Sequence, residues 1–272
     1  MGYLSTDKKK VTVKTFAQMK AAGEKVTMMT AYDYTTANIL DEAGMDSILV
    51  GDSASNVMAG NADTLPITVE EMIYHARSVA KACTHALVIC DMPFGSYQIS
   101  KEDGVRNAVR LMKETGVDAV KLEGGVEILD AVNAILQAGI PVCGHLGLTP
   151  QSVHQFGGYG LRAKEDAEAE KLIQDAKALD EAGCFAIVLE KVPASLATKV
   201  TQAVKAITIG IGAGNGCNGQ VLVYADAMGM TQGFQPKFLR RFADVRQCMT
   251  DGAKAYIDAV KTCDFPSKEE SY

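Results

Sequence analysis

The 272-residue sequence contains no apolar stretch as long as the roughly 18 to 20 residues that a membrane-spanning helix needs. Its first ten residues lack the apolar segment of a secretory signal peptide and end in three lysines. Basic residues are not in excess, because 33 Asp and Glu outnumber 27 Lys and Arg and give a formal net charge of -6. A nucleic-acid surface needs clustered Lys and Arg. We therefore expect neither a membrane nor a nucleic acid as a partner.

The seven cysteines form no Cys-x-x-Cys pair and are odd in number. Neither a disulfide framework nor a zinc knuckle is therefore indicated, and a reducing cytoplasm fits this composition. Cys90, Cys143 and Cys184 lie in or beside apolar stretches, which is typical of small buried hydrophobic side chains. Hydrophobic residues make up 47% of the chain and charged residues 22%, which indicates a globular protein and not a disordered one.

Short apolar runs alternate with stretches of helical periodicity over the whole chain, without a linker between them. This alternation predicts parallel strands with right-handed crossovers, and eight such units close as a barrel. We predict a single (β/α)8 TIM-barrel domain over 1–272, with a leader at about 1–11 and a polar tail at about 265–272. An open doubly wound sheet is the alternative. The predicted strands are 25–31, 47–51, 87–91, 119–123, 140–148, 185–190, 206–211 and 220–223.

Capping residues predict where several helices begin. Thr15 with Gln18, and Thr68 with Glu71, have the spacing of a capping box. Asp33 is placed to cap the helix that follows the first strand. These signals set the predicted starts of three helices.

Three acids stand at the ends of successive predicted strands: Asp52, Asp91 and Glu123. Neighbouring parallel strands lie about 4.8 Å apart, and barrels carry their sites at the carboxyl edge of the strands. Oxygen ligands without Cys or His partners favour Mg²⁺. A helix cap or a solvated loop charge is the simpler interpretation of any one acid, but three at successive strand ends favour a shared ion.

Lys121 lies two residues before Glu123 in one predicted strand, so both side chains face the same side. Lys121 either neutralises the acids as a structural ion pair or holds an anionic substrate, and both alternatives stay open. His145 lies near the end of the fifth strand, where we expect it to contact substrate. Glu190 ends the sixth strand and is a candidate general base, with a structural ion pair as the alternative.

The segment Gly214-Asn-Gly-Cys-Asn-Gly219 satisfies the G-x-G-x-x-G pattern of dinucleotide-binding proteins. That pattern should open a helix, whereas here it leads into the apolar run 220–223. Tight packing between strands, or close approach of a ligand to the backbone, is the better interpretation.

Several longer motifs run in order through the chain. They are Tyr32-Asp-Tyr34, Leu49-Val-Gly-Asp-Ser53, Thr64-Leu-Pro-Ile-Thr68, Asp91-Met-Pro-Phe-Gly-Ser-Tyr97, Val120-Lys-Leu-Glu-Gly-Gly125, Gly139-Ile-Pro-Val142, Gly144-His-Leu-Gly-Leu-Thr-Pro-Gln-Ser152, Val188-Leu-Glu190, Thr208-Ile-Gly-Ile-Gly-Ala-Gly214 and Gly219-Gln-Val-Leu-Val223. From about residue 12 to residue 266, the sequence resembles the 3-methyl-2-oxobutanoate (ketopantoate) hydroxymethyltransferase family.

The resemblance implies a (β/α)8 barrel, Mg²⁺, an α-keto acid substrate and 5,10-methylenetetrahydrofolate as one-carbon donor. The implied reaction forms 2-dehydropantoate through a magnesium-stabilised enolate, in cytoplasmic pantothenate and coenzyme A biosynthesis. The implied assembly is a homodecamer, a pentamer of dimers. Matched residue by residue, the implied metal ligands are Asp52, Asp91 and Glu123, the implied substrate contacts are Asp52, Ser53, Asp91, Lys121 and His145, and the implied proton acceptor is Glu190.

The sequence departs from the family pattern at a few positions, which bear on the folate-side and loop contacts. Asn61 stands where the family has histidine and Lys191 where it has cysteine, and the segment 160–162 and Asn218 replace the usual loop residues.

Two other functions fit part of the sequence. A lyase or mutase of the phosphoenolpyruvate mutase and isocitrate lyase type carries Lys-x-Cys-Gly-His on a mobile loop. Here Cys143-Gly-His145 echoes that motif, but Pro141 replaces the lysine and the segment is typical of a strand. A non-catalytic scaffold that surrounds a metal completely with protein ligands is the second alternative.

Overall fold

The computed structural model describes residues 10–233 and 235–272. Eight parallel strands form a closed barrel in chain order, which confirms the predicted fold class and excludes the open sheet. Each strand overlaps its predicted range. Most strands are continuous apolar runs buried on both faces, whereas Thr27 in the first strand and Gln220 in the last are exposed. The strands are β1 Val26–Thr30, β2 Ser47–Val50, β3 Leu87–Asp91, β4 Ala119–Glu123, β5 Val142–Gly147, β6 Ala186–Glu190, β7 Ile207–Ile211 and β8 Gly219–Leu222.

Helices follow the strands, and side-chain caps begin four of the nine helices described up to β8. Asp33 and Thr68 cap their helices as predicted. The prediction for the first helix was wrong, because Thr12 is the cap and its hydroxyl accepts a hydrogen bond from the backbone N–H of Thr15. The helices up to β8 are α1 Val13–Ala22, α2 Tyr34–Glu42, α3 Ala54–Val57, α4 Val69–Ala82, α5 Lys101–Thr115, α6 Leu129–Gln137, α7 Val153–Phe156, α8 Asp166–Ala182 and α9 Ala194–Ala203.

The N-terminal end of the barrel is packed with apolar side chains from the strands and from α1. Phe16 of α1 is fully buried in the same cluster as Met28 and Ile209, and its ring centroid lies 5.8 Å from that of Phe185. The Lys20 ammonium donates to two backbone carbonyls just before β7. Because this end is closed, the carboxyl ends of the strands form the available site, as in other barrels of this type.

The glycine-rich segment before β8 packs tightly between strands, as predicted. A Cβ atom on Gly219 would lie 2.5 Å from the carbonyl oxygen of Val26 and 2.6 Å from Ile209 Cδ1. Both distances are shorter than van der Waals contact, so only glycine fits at the start of β8. The segment opens a strand and not a helix, which argues against the dinucleotide-binding interpretation.

The barrel occupies the chain up to Val223, and the residues from Tyr224 onward form a second compact unit. This unit contains α10 (Tyr224–Ala227) and α11 (Val245–Lys261), and the Asp244 side chain caps the latter. The single-domain organisation and the polar tail stay predictions. The predicted leader at about 1–11 lies outside the described residues except for Lys10 and Val11.

The composition argued against a membrane-spanning helix and against disulfide bonds, and both points can be compared with the structure. Within residues 10–233 and 235–272, no helix combines the length and the apolar character that crossing a membrane requires. Cys90, Cys143 and Cys184 are buried and unbridged, as predicted.

Asp41 is a buried carboxylate that joins α2 to the entry of β3. It accepts hydrogen bonds from the backbone N–H groups of Thr84, His85 and Ala86, at 2.9, 3.0 and 2.7 Å. Burial acts to raise the pKa of Asp41, but these backbone donors outweigh it and hold the pKa below its ordinary value. The carboxylate form therefore stabilises the fold.

We predict that Asp41→Asn lowers the free energy of unfolding at pH 7 by roughly 2–3 kcal/mol, because buried donors lose a charged acceptor. A carboxyl group whose pKa is depressed by folding stabilises the protein above its unfolded pKa, and this contribution disappears as the pH falls through the folded pKa. The difference from wild type should therefore shrink as the pH falls below the ordinary value of 3.8. Urea unfolding at several pH values measures it. Exposed Asp130→Asn is the control, and an equal effect there would contradict the assignment.

Candidate active site

The carboxyl ends of β2, β3 and β4 bring three acids together. Asp91 and Glu123 are the last residues of β3 and β4, and Asp52 follows β2. All three side chains are buried, and the backbone N–H of Asp52 donates to Asp91 Oδ2 at 3.0 Å. The parallel register pairs Asp91 with Lys121, so the lysine enters the same space.

Lys121 is a buried ammonium surrounded by these acids. Its Nζ lies 3.1 Å from Asp91 Oδ1 and 3.6 Å from Glu123 Oε1. Burial acts to lower the pKa of Lys121, but the charges of Asp91, Glu123 and Asp52 outweigh it and hold the pKa above its ordinary value. The structure therefore contains the ion pair, which was one of the two alternatives for Lys121. The Lys121 ammonium is held in a fixed position at the carboxyl ends of the strands.

His145 connects this cluster to Glu190. Its Nδ1 lies 3.0 Å from Glu123 Oε1, and its Nε2 lies 3.4 Å from Glu190 Oε2. Burial and the charge of Lys121 act to lower the pKa of His145, but Glu123, with a smaller effect of Glu190, raises it to about 9. At neutral pH the ring is therefore an imidazolium that offers an N–H toward each of the two carboxylates.

Glu190 differs from the other carboxylates in its access to solvent. It ends β6, and its side chain is 17% exposed, compared with 3% for Glu123. A small molecule at the barrel mouth can therefore approach Glu190, while the inner acids are enclosed by protein. This position suits a group that exchanges a proton with a substrate.

The inner acids carry more negative charge than their neighbours balance. Three carboxylates, Asp52, Asp91 and Glu123, face two cationic side chains, Lys121 and His145. Burial raises the pKa of Asp52 and Asp91, with a further rise from the neighbouring carboxylates, and Asp91 Oδ1 has no hydrogen bond of good geometry within the described residues. Excess charge on hard oxygen donors fits a divalent cation such as Mg²⁺.

The carboxylate oxygens of this cluster are engaged in contacts within the protein. Lys121, His145 and Gln151 contact the oxygens of Asp91, Glu123 and Asp52. In the part of the chain that the structure describes, no three Asp, Glu, His or Cys side chains are already arranged around one point as metal ligands. A cation would therefore bind with a shift of these side chains and with other ligands completing its coordination.

We assigned no functional role to three polar residues of this region on the basis of the sequence. Tyr32 OH lies 2.7 Å from the hydroxyl of Ser53, which follows Asp52. Tyr97 OH accepts the backbone N–H of Glu123 at 2.9 Å, and the Gln151 side chain donates to Asp52 at 2.9 Å. Each of the three lies in a segment that follows a strand of the barrel and within a motif that resembles the family, and these were the two signals available.

The positions that depart from the family pattern take part in loop contacts. Lys191 has a positive φ of 46°, and its ammonium donates to the carbonyl oxygen of Tyr159. The backbone N–H of Arg162 donates to the carbonyl oxygen of Lys191 at 2.8 Å, which joins the two loops again. Asn61 donates to the Ser55 hydroxyl at 3.1 Å. The Asn218 side-chain oxygen accepts a hydrogen bond from the backbone N–H of Thr208 in β7, at 3.1 Å.

Solved structures with a similar fold include phosphonopyruvate hydrolase in complex with oxalate and Mg²⁺, with a TM-score of 0.61 and 11% identity over 95% of this chain and 93% of that one. Another is 2,3-dimethylmalate lyase, with a TM-score of 0.58 and 15% identity over 96% and 91%. These likenesses show the fold alone. Cys143 and His145 lie inside β5, preceded by Pro141, so the loop motif expected of a lyase or mutase is not present at this segment.

Comparison by sequence gives much closer relatives. The 3-methyl-2-oxobutanoate hydroxymethyltransferase of Bacteroides thetaiotaomicron is 58% identical over 271 residues, 100% of this chain and 99% of that protein. The enzyme of the same name from Christiangramia forsetii is 57% identical over 272 residues and the full length of both. The family model for ketopantoate hydroxymethyltransferase matches residues 10–268. The chain therefore belongs to the ketopantoate hydroxymethyltransferase family.

Proposed function

We propose that this chain transfers a hydroxymethyl group from 5,10-methylenetetrahydrofolate to 3-methyl-2-oxobutanoate and so forms 2-dehydropantoate for pantothenate and coenzyme A biosynthesis. The proposal depends on the contrast between Glu190 and the inner acids. The Glu190 side chain is 17% exposed and lies beside His145, whereas the inner acids are enclosed with a lysine. The names of the full-length relatives support the same substrate.

Asp52, Asp91 and Glu123 would hold a magnesium ion. Their oxygen donors, their burial and their excess of negative charge support this assignment. A bound magnesium ion supplies Lewis-acid stabilisation of negative charge on the substrate oxygens. The same three acids provide too few protein ligands for the octahedral coordination of this ion, so positions remain for substrate and water.

Glu190 acts as the general base and removes the proton from C3 of 3-methyl-2-oxobutanoate. The electron pair of the broken C–H bond forms the enolate, whose negative charge lies mainly on the former keto oxygen. Lys121 and His145 are fixed cations at the strand ends, and they stabilise this charge without reorientation during the reaction. Ser53, with Asp52 and Asp91, contacts the bound keto acid and orients C3 toward Glu190.

Water adds to the methylene carbon of the folate, both bonds from that carbon to N5 and N10 of the folate break, and the two protons of the water pass to these nitrogens. The enolate carbon then forms a bond to the released carbon, which is at the oxidation level of formaldehyde and carries the oxygen of the water. The proton held by Glu190 passes to that oxygen and completes the hydroxyl group of the product. Tetrahydrofolate and 2-dehydropantoate are released. The enclosure of the inner acids limits the access of bulk water while the enolate is present.

The protein acts in the cytoplasm as a homodecamer, a pentamer of dimers, with each chain folded as one barrel domain. The resemblance of the sequence to the ketopantoate hydroxymethyltransferase family implies this assembly and location.

We predict that Glu190→Gln slows the exchange of the C3 proton of 3-methyl-2-oxobutanoate by about 10²- to 10⁴-fold, because a general base contributes that much. Proton NMR in D₂O with Mg²⁺ and without folate measures the exchange. Binding of the keto acid should change little. Glu181→Gln, on the exposed face of α8, is the matched control. Wild-type exchange by Glu190→Gln would remove this residue as the base.

Removal of divalent metal tests the proposed cation site. Protein dialysed against EDTA should lose C3 proton exchange, and Mg²⁺ should restore it because the enolate needs a Lewis acid at its oxygens. Ca²⁺ should restore less, since its longer bonds and higher coordination number suit this site poorly. Exchange that persists unchanged in EDTA would contradict the proposed magnesium site.

The mass of the particle in solution tests the proposed decamer. Sedimentation equilibrium should give a particle of ten chains of 28.9 kDa each. A single species of two chains would contradict the decamer without affecting the assignment of the reaction.

A further inference from the structure

We propose that Gln151 is a positioning residue that holds Asp52 and Glu123 in the arrangement needed for cation binding. This inference rests on the proposed function, because it assumes that these two acids hold a cation. The supporting observation is that one residue contacts both acids, through its side chain in one case and its backbone in the other.

Gln151 is buried in a short 3-10 turn, Pro150–Ser152, that follows β5. Its side-chain Nε2 donates to Asp52 Oδ2 at 2.9 Å, and its backbone N–H donates to Glu123 Oε2 at 2.9 Å. One oxygen of each carboxylate is therefore anchored. Hydrogen bonds of this kind, from residues behind the ligands, commonly fix the orientation of metal ligands.

The direction of the Gln151 amide is determined by backbone groups at both ends of a chain of hydrogen bonds. At one end, the backbone N–H of Gly95 donates to Gln98 Oε1 at 2.8 Å, so Gln98 Nε2 must be the donor to Gln151 Oε1 at 2.9 Å. At the other end, Gln151 Nε2 also donates to the carbonyl oxygen of Met92 at 2.9 Å. A backbone N–H can only donate and a carbonyl can only accept. Gln151 therefore presents a donor to Asp52.

Tyr97 supports the same arrangement from the side of Glu123. Its hydroxyl accepts the backbone N–H of Glu123 at 2.9 Å. The hydroxyl hydrogen points toward Gln151 Oε1 at 2.8 Å or the carbonyl oxygen of Glu123 at 3.0 Å. Tyr97 is almost fully buried, so these contacts are shielded from water. The Tyr97 and Gln151 side chains thus link the loops after β3 and β5 to two of the inner acids.

The test uses Mn²⁺ alone as the probe, titrated into metal-free protein without substrate and followed by the electron paramagnetic resonance signal of free Mn²⁺. Gln151→Met keeps the length of the side chain but removes the side-chain hydrogen bonds, including the one to Asp52, while the backbone N–H that binds Glu123 is retained. We expect a 10- to 100-fold rise in the Mn²⁺ dissociation constant, the usual effect of losing such a residue. Gln137→Met is the control, because Gln137 is exposed at the end of α6, and it should bind Mn²⁺ as wild type does.

The outcomes distinguish a failure of the proposed cation site from a failure of the proposed role of Gln151. Wild-type protein that fails to bind Mn²⁺ overturns the proposed cation site and this inference with it. Binding by wild type together with equal binding by Gln151→Met overturns the inference alone. Thermal unfolding in EDTA identifies a variant that has lost its fold.

Gln98→Met provides the test if Gln151→Met does not fold. Gln98 is exposed, so its replacement disturbs the core little, but it removes the donor that fixes the Gln151 amide. We expect weaker Mn²⁺ binding, by a smaller factor than for Gln151→Met, because the contact with Asp52 itself is retained. Wild-type affinity in Gln98→Met would overturn the inference.

Discussion

The structure at the barrel mouth depends on the compensation of charge that is enclosed in protein. An ammonium or a carboxylate removed from water is strongly destabilised unless an opposite charge or hydrogen bonds replace the lost solvation. Lys121 and the inner acids meet this requirement together, because the register of β3 and β4 places Lys121 beside Asp91. Removing any one member would leave the others uncompensated. The barrel geometry and the charge pattern therefore depend on each other.

This compensation also creates the difference between the inner acids and Glu190. Lys121 and His145 neutralise only part of the inner charge, which leaves an excess suited to a cation. Glu190 stands at the end of β6, on the far side of His145, and keeps contact with solvent. His145 thus lies between the inner acids, which we propose hold the cation, and Glu190, which we propose is the base. The two proposed roles for one type of side chain rest on its position and burial.

The sequence predicted the barrel and most of its charged site because both depend on strands. Continuous apolar runs located every strand, and residues at strand ends necessarily meet at one edge of a parallel barrel. Gln151 and Tyr97 were not predicted, because their contacts depend on the paths of two loops, which no periodicity encodes. The start of α1 was misplaced because Thr12 and Thr15 both suit a cap. In the structure Thr12 is the cap, and the Thr15 side chain accepts a hydrogen bond from the backbone N–H of Thr12.

The strands determine the fold, whereas the site also depends on residues in the loops. The fold alone therefore does not identify the function. Barrels of enzymes with other names align with this chain at 11–15% identity, so the strands tolerate almost complete replacement of sequence. In this chain the candidate site is formed by the side chains at the strand ends and by the loop residues that hold them. The segment that would carry the lyase motif is here part of β5, and it delivers His145 to Glu123 as a fixed partner. The turn after β5 then delivers Gln151 to Asp52, so one strand and its turn organise both sides of the inner acids.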